Sequence, residues 1–351
     1  LNTDWYINQM RRKAYDSDPA PFTIPEPKYR QGTRDYVPVI DQNKKAFYAK
    51  VKDIVNFMTN DKEMAQLGPN RMMNYAPTKL YSLPVDTIKV LSNGTVHPSR
   101  AGEVLPSINW KINKNYILKK DLLMLDLLAN FNWDIPVYYA ITTGNDAYIG
   151  LQDYFQIEGL AYRLVPFNAK SHDGQTGWVN TDVMYDNVMN KFKYGNVKDD
   201  GVYVDHNILR MCMNLRNNFA RLADALQKEG KADKATAVLD KCVEEMPHKN
   251  VPYDYFMLPI SEVYYKLGET EKANAILKIM SVDVVAELDY YFDLKPKLYA
   301  DVSAQAQQNI SILYRMNLIA QQYIAEEELG KKIIEEFKRL EQQYSSRQGA
   351  S

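Results

Sequence analysis

The chain has 351 residues, and its 43 basic and 44 acidic residues leave a net charge of -1. That length exceeds one ordinary domain, so two domains, or one domain followed by a helical array, are expected. A near-neutral chain with no basic block lacks the field that draws proteins to nucleic acid, and its longest apolar stretch, Leu122 to Phe131, is interrupted by Asp126 and too short to cross a bilayer. Nucleic-acid partners and a spanning segment are therefore excluded, and the chain reads as soluble.

The opening at Leu1, with neither a charged nor an apolar leader, reads as a piece cut from a longer protein. Asn2, Thr3 and Asp4 offer caps for a short helix through Trp5, Ile7, Met10 and Tyr15. Pro19, Pro21, Pro25 and Pro27 then forbid regular structure, which predicts a proline-rich arm over about residues 16–40. Phe47, Val51, Ile54, Val55 and Met58 form one apolar stripe and predict a helix over 44–60. Between Thr78 and Ile112, apolar residues such as Leu80, Tyr81, Val85 and Val90 cluster about Asn93 and Gly94, as short strands or hairpins do. Further on, an apolar helix is predicted over 119–130 and a strand through Trp133, Ile135, Val137 and Tyr139. A helical segment over 147–155, a strand over 160–166, a loop over 168–177 and a helix over 181–192 follow. Alternation of this kind predicts a βαβ-like layer, so residues 1–200 read as an α/β, or α+β, domain with a small sheet.

Residues 201–345 read as all-α. Phe219, Leu222, Ala223 and Leu226 share a helix face before a turn at Gly230, and Ala235, Leu239, Cys242 and Pro247 follow. Met257, Ile260, Ser261 and Tyr264 repeat the pattern before Gly268, 38 residues on, with Ala273, Leu277 and Met280 behind. Gly-Lys-Ala-Asp-Lys-Ala at 230–235 corresponds to Gly-Glu-Thr-Glu-Lys-Ala at 268–273. This is tetratricopeptide-like spacing, in which small residues let paired helices approach and larger ones fill the groove; four extra residues in 247–254 stretch the usual period of about 34. An ordinary antiparallel bundle is the alternative. Helices are predicted over 305–322 and 326–344, the latter read as capping the array, with a surface for a partner helix as the alternative. Residues 346–351 are expected to be disordered. Cys212 and Cys242 fall on paired helices but are offset by roughly 9 Å along them, beyond disulfide reach, and read as buried thiols.

No catalytic motif of comparable quality appears. The four histidines have no zinc-like spacing, Gly144, Gly150 and Gly159 are too far apart to cradle phosphate, and no metal or cofactor is expected. Asp182 and Asp186 share a predicted helix face, which acid-base chemistry would need, yet nothing in the pattern indicates burial. Arg34 and Asp35, beside a tyrosine, offer a fork for a carboxylate or a sugar; an internal ion pair anchoring the arm is the plainer reading. The 26 tyrosines suit sugar and protein partners alike, and half-buried packing equally. Tetratricopeptide geometry would place Asn217, Asp224 and Gln227 of the first copy, and Tyr255, Glu262 and Tyr265 of the second, on an inner wall that holds an extended peptide.

Four segments carry a resemblance: 1–10, Gly-Thr-Arg-Asp-Tyr-Val-Pro at 32–38, Asn-Trp-Asp-Ile-Pro-Val-Tyr at 132–138 and Gly-Leu-Ala-Tyr-Arg-Leu-Val-Pro at 159–166. With them the chain resembles the soluble carboxyl-terminal part of the bacterial membrane proteins in the domain-of-unknown-function family numbered 2723, which is similar to protein O-mannosyltransferases. Asp134 departs from the basic residue expected before Pro136. The resemblance implies a non-catalytic module, tethered to a membrane-bound glycosyltransferase-like protein on the extracytoplasmic (periplasmic) face of the bacterial inner membrane, with the repeats docking a protein or peptide. The alternative it implies is a glycan-binding or active-site-completing part of a protein O-glycosyltransferase, with Arg34, Asp35, Trp133, Tyr138 and Tyr139 as its contacts.

Overall fold

Four prolines between positions 19 and 27 leave the chain after its first helix with one 3-10 turn, Glu26–Lys28, as its regular backbone, and side chains from distant elements hold the rest. The computed structural model describes residues 1–13, 16–42, 47–69 and 71–348. Tyr15, the start of the helix expected from Lys44, and residues 349–351 of the expected tail lie outside the described residues. The chain divides after Trp178 into two units, so the boundary expected at 200 moves back. The reason is local: the 181–192 segment buries Met184 and Val188, and Thr181 Oγ1 donates to Glu229 at 2.8 Å, within the helical unit.

The first unit contains α1 (Asp4–Met10), β1 (Tyr36–Pro38), β2 (Ala49–Lys50), α2 (Val51–Thr59), β3 (Met64–Gln66), β4 (Met72–Asn74), β5 (Leu80–Pro84) and α3 (Thr87–Ser92). It continues with β6 (Ser107–Lys111), β7 (Tyr116–Leu118), α4 (Lys119–Asn130), β8 (Tyr138–Ala140), β9 (Phe155–Ile157) and β10 (Ala161–Leu164), and β11 (Trp178–Val179) lies at its end. Among the described residues these short strands form four small sheets, β1-β7, β3-β4, β2-β5-β6 and β11-β9-β10-β8, in place of the single layer expected. Strands β7 and β8 flank α4 but do not pair with each other: β7 runs antiparallel to β1 and β8 antiparallel to β10. Among the described strand pairs β2 with β5 is parallel, and Val39 and Ala76 make an isolated parallel bridge. Short connections favour antiparallel neighbours, which is why the alternation of helix and strand misled.

Helix α4 covers the predicted residues. Its first turn is capped by Asp121, whose carboxylate accepts the Leu118 N–H at 3.2 Å, and its Leu122, Leu123, Leu125 and Leu128 are buried in the core shared with Ile54, Val55 and Met58 of α2. Asn132 and Trp133, with φ of 50° and 60°, turn the chain sharply after α4, so the strand expected from Trp133 starts only at Tyr138. The helix expected over 147–155 is two 3-10 turns, 145–148 and 152–154, separated by Ile149 and Gly150 at positive φ and followed by β9.

The second unit opens with α5 (Thr181–Asp186), which passes into a π turn at 187–191, and then runs through α6 (His206–Lys228), α7 (Ala232–Glu245), α8 (Met257–Lys266), α9 (Thr270–Asp293), α10 (Pro296–Tyr323) and α11 (Glu328–Gln348). An α/β first part followed by an all-α second part is the architecture expected. The two glycine turns are built alike. At Gly230, φ 74°, the Gly230 N–H bonds the Gln227 carbonyl at 3.0 Å and the Lys231 N–H the Leu226 carbonyl at 2.9 Å; at Gly268, φ 80°, the same pair runs to Tyr265 and Tyr264, both at 3.0 Å. Both are Schellman closures, which satisfy the last carbonyls and need a left-handed residue. Helices α10 and α11 form a third hairpin, packing against α9 as a further layer, where a helix over 305–322 and a single capping helix over 326–344 were expected. Helix α11 reaches Gln348, so the part of the tail at 346–348 is ordered, because Arg347 donates to the carbonyls of Phe292 and Leu294. Among the described residues no helix is long and apolar enough to cross a membrane.

The third turn has no left-handed glycine. Gly330 instead lies inside the first turn of α11 against the Ile324 carbonyl, and a Cβ there would come within 2.7 Å of that carbonyl carbon. Helix propensity alone makes Gly330→Ala a gain of about 1 kcal/mol. Backbone cannot swing aside as a side chain can, so the expected result is a loss of about 1–3 kcal/mol. A thermal melt followed by circular dichroism decides the sign, and a raised midpoint would refute the close approach.

Candidate functional site

Strand geometry separates the two tyrosines proposed together as glycan contacts. Successive side chains of β8 point to opposite faces. Tyr139 is 4% exposed and packs against Tyr148 and Phe155, whereas Tyr138 is 45% exposed, its hydroxyl donating to Glu158 Oε2 at 2.8 Å. Burial and the Glu158 carboxylate push the Tyr138 phenol up to about 12. Trp133 is buried too, its indole N–H donating to the Pro84 carbonyl at 2.9 Å. Arg34 is 7% exposed and caps the end of α2: Nε donates to the Met58 carbonyl at 3.0 Å, and Nη2 meets Asp61 at 2.5 Å. Asp35 turns the other way, onto Lys119 at 2.7 Å, whose hydrogen bond holds its carboxyl below the usual range. Arg34, Trp133 and Tyr139 are therefore internal supports. For Arg34 this is the plainer reading, an internal ion pair, made with Asp61 in place of Asp35; the burial of Trp133 and Tyr139 could not be read from the sequence because aromatics look alike on a surface and in a core.

Asp35 and Lys119 instead border an open cleft of about 660 Å³ together with Asp4 and the exposed Trp5. A second cleft, of about 580 Å³, lies between the end of β6 and the 145–154 segment, a region from which no candidate was chosen. Trp110, Ile112 and Ile149 give it a buried apolar floor; Asn109, Asn113, Asn145 and Gln152 line it with amides, and Tyr48 and Tyr154 with phenols. Lys114 bridges Asp121 at 3.0 Å and Asp146 at 2.8 Å. Hydrogen bonds from Lys114 and Lys120 pull the Asp146 carboxyl down to about 2, so it stays ionised at any physiological pH.

In the helical unit the expected inner wall is partly occupied. Glu262 is held by Arg315 of α10 at 2.6 Å, and Tyr265 is 8% exposed, stacked on Tyr323 with centroids 4.8 Å apart. Asp224 bonds Lys228 at 2.7 Å and Lys266 at 3.2 Å. The third hairpin, missed in the sequence, supplies Arg315 and Tyr323. Asn217 and Gln227 are half-buried, and Tyr255, just before α8, is 47% exposed.

Residues 1–183 match the family described as TMEM260-associated domain 2. The chain belongs to this family. No curated protein and no solved structure matches it. The match takes in all of the first unit, so both clefts fall inside the TMEM260-associated domain, while the helical hairpins lie beyond it.

The TMEM260-associated domain and the hairpins hold, among the described residues, no group of three or more His, Cys, Asp or Glu placed to bind a metal ion. Asp182 and Asp186 do not act as a pair. Asp182 bonds Lys231 at 3.2 Å, and Asp186 bonds Asn190 and Lys191, which lower its carboxyl. Both cysteines are buried and free, and burial raises both thiols, Cys242 up to about 12, so neither is an activated nucleophile.

Proposed function

We propose that the chain is a non-catalytic accessory module of a membrane-bound glycosyltransferase-like protein, of the kind grouped in the domain-of-unknown-function family numbered 2723, and that it works on the extracytoplasmic (periplasmic) face of a bacterial inner membrane. Its helical unit docks a protein or peptide partner. Family membership supports the association with such a protein, and one feature of α6 carries the docking. The core stripe of α6, buried at Phe219, Leu222 and Leu226, continues toward its N-terminus through Ile208 and Met211, which are 43% and 49% exposed. Helix α6 is 23 residues long and its partner α7 only 14, so the stripe overruns its cover. An exposed apolar strip of this kind seats an amphipathic segment, and Tyr255 before α8 and Gln227 at the other end of α6 offer accessible polar groups in the same unit.

The reading is tested by recovery of partners from envelope extract with the native chain, an Ile208→Ser/Met211→Ser variant and a Gln227→Ala/Tyr255→Ala variant. All four side chains are partly or largely exposed, so folding is retained. A drop in recovery of about tenfold with the first variant, and a smaller drop with the second, is the expected outcome. Equal recovery of every partner would remove the docking function.

A further inference from the structure

We infer that the cleft between the end of β6 and the 145–154 segment binds an uncharged saccharide. The inference is independent of the docking function, which resides in the other unit.

Four observations combine. First, the lining charges cancel: Lys111 and Lys114 are matched by Asp146 and Asp153, and Asp153 is further bonded to Lys170 at 3.1 Å. An anionic ligand would find no excess of positive charge there, and a cationic one no excess of negative. Second, the amides of Asn113, Asn145 and Gln152 take no partner within the described chain, and each offers a donor and an acceptor together. Paired donors and acceptors suit hydroxyl groups, which also donate and accept. Third, the cleft presents the rings of Tyr48, 38% exposed, and of Tyr154, half-buried with its hydroxyl donating to the Asn109 carbonyl at 3.0 Å, while Trp110, Ile112 and Ile149 back the cleft almost wholly buried. A pyranose presents the same mixture of C–H faces and hydroxyl edges.

The fourth observation is the backbone. Ile149 is β-branched and holds φ 47° and ψ 29°, a left-handed conformation that such a residue rarely adopts without strain. Gly150 follows at φ 88°, where a Cβ would strike the Lys111 carbonyl. The Trp110 indole N–H donates to the Ile149 carbonyl at 3.1 Å and fixes the strained residue against β6. The strained pair thus sets how closely the 145–154 segment approaches the strand, and with it the width of the cleft. At about 580 Å³ the space lies within the usual range for small-molecule sites.

The test uses the whole chain, with mannotriose and N,N′-diacetylchitobiose as uncharged probes and mannose phosphate as the anionic one. Binding is read by saturation-transfer NMR and calorimetry. At least one uncharged probe is expected to bind, with affinity falling about five- to tenfold in Asn113→Ala and in Gln152→Ala and holding in Lys111→Ala. Both amide variants alter exposed side chains, and an unchanged melting curve confirms their folding. Absence of transfer to either uncharged probe at millimolar concentration, or binding indifferent to both amide variants, would overturn the assignment. So would binding of mannose phosphate alone that is lost in Lys111→Ala. None of these results bears on partner recovery by the Ile208 and Met211 variants.

Discussion

Arg216→Met is expected to destabilise the helical unit by about 3–5 kcal/mol, the usual consequence of removing one member of a buried ionic network. Arg216 is fully buried on α6. Its guanidinium donates to the carbonyls of Pro252 at 2.8 Å, Met246 at 3.0 Å and Val251 at 2.6 Å, meets Asp254 Oδ2 at 2.6 Å, and lies 5.3 Å from the Tyr253 ring centre. Those groups belong to the link between α7 and α8, which holds the four residues that lengthen the repeat. With the fork gone, three carbonyls and a carboxylate lose their donor together. Lysine keeps the charge without the planar fork, so Arg216→Lys should retain little of the difference. All four tryptophans, Trp5, Trp110, Trp133 and Trp178, lie in the first unit, which separates the readouts. The far-ultraviolet circular dichroism transition should move to lower denaturant while tryptophan fluorescence stays in place. Equal displacement of both signals, or of neither, would contradict the role given to Arg216.

How far the chain could be read from its residues depended on the range of the interactions involved. Helix α4 and the turns at Gly230 and Gly268 are set by neighbours a few positions away, by periodicity, capping and left-handed glycine, and they were legible. The third hairpin was legible as two helices but not as a hairpin, because its turn relies on Gly330 touching Ile324 rather than on a glycine at the helix end. Arg216 looked like any polar residue on a helix, since its partners lie 30 to 38 positions further on. Which of the candidate contact residues are buried was hidden for the same reason. Trp133 was taken for a contact residue when its partner carbonyl is 49 positions earlier, and the saccharide cleft draws on Tyr48, the 109–114 segment and the 145–154 segment, which share no local pattern. Burial, not residue type, separated supports from contacts, and burial of a polar group is set by tertiary structure.

Asp126→Ala is expected to release the proline-rich arm and lower the stability of the first unit by about 3 kcal/mol or more. In the sequence Asp126 merely interrupts an apolar helix; in the fold it is wholly buried on α4 and receives four donors. Its Oδ2 accepts the backbone N–H groups of Thr23 at 2.7 Å and Ile24 at 3.1 Å, and its Oδ1 accepts the Thr23 hydroxyl at 2.6 Å and the Asn130 amide at 3.1 Å. A segment with prolines at 19, 21, 25 and 27 makes no strand and only one short 3-10 turn, Glu26–Lys28, so the N–H groups of Thr23 and Ile24 need an acceptor from elsewhere. Alanine leaves the buried Ile24 N–H without an acceptor, and it frees the stretch that seats Phe22, Ile24 and Tyr29 in the core. Asp126→Asn keeps the volume but turns an amide toward donors on one side, and should cost roughly half as much. Here the tryptophan transition should shift while the helical circular dichroism transition holds, the reverse of Arg216→Met, and limited trypsin digestion should cut the arm at Lys28 or Arg30 sooner than in the native chain. Cleavage at an unchanged rate, with fluorescence unmoved, would show that the arm is held by Arg34 and the end of α2 without help from Asp126.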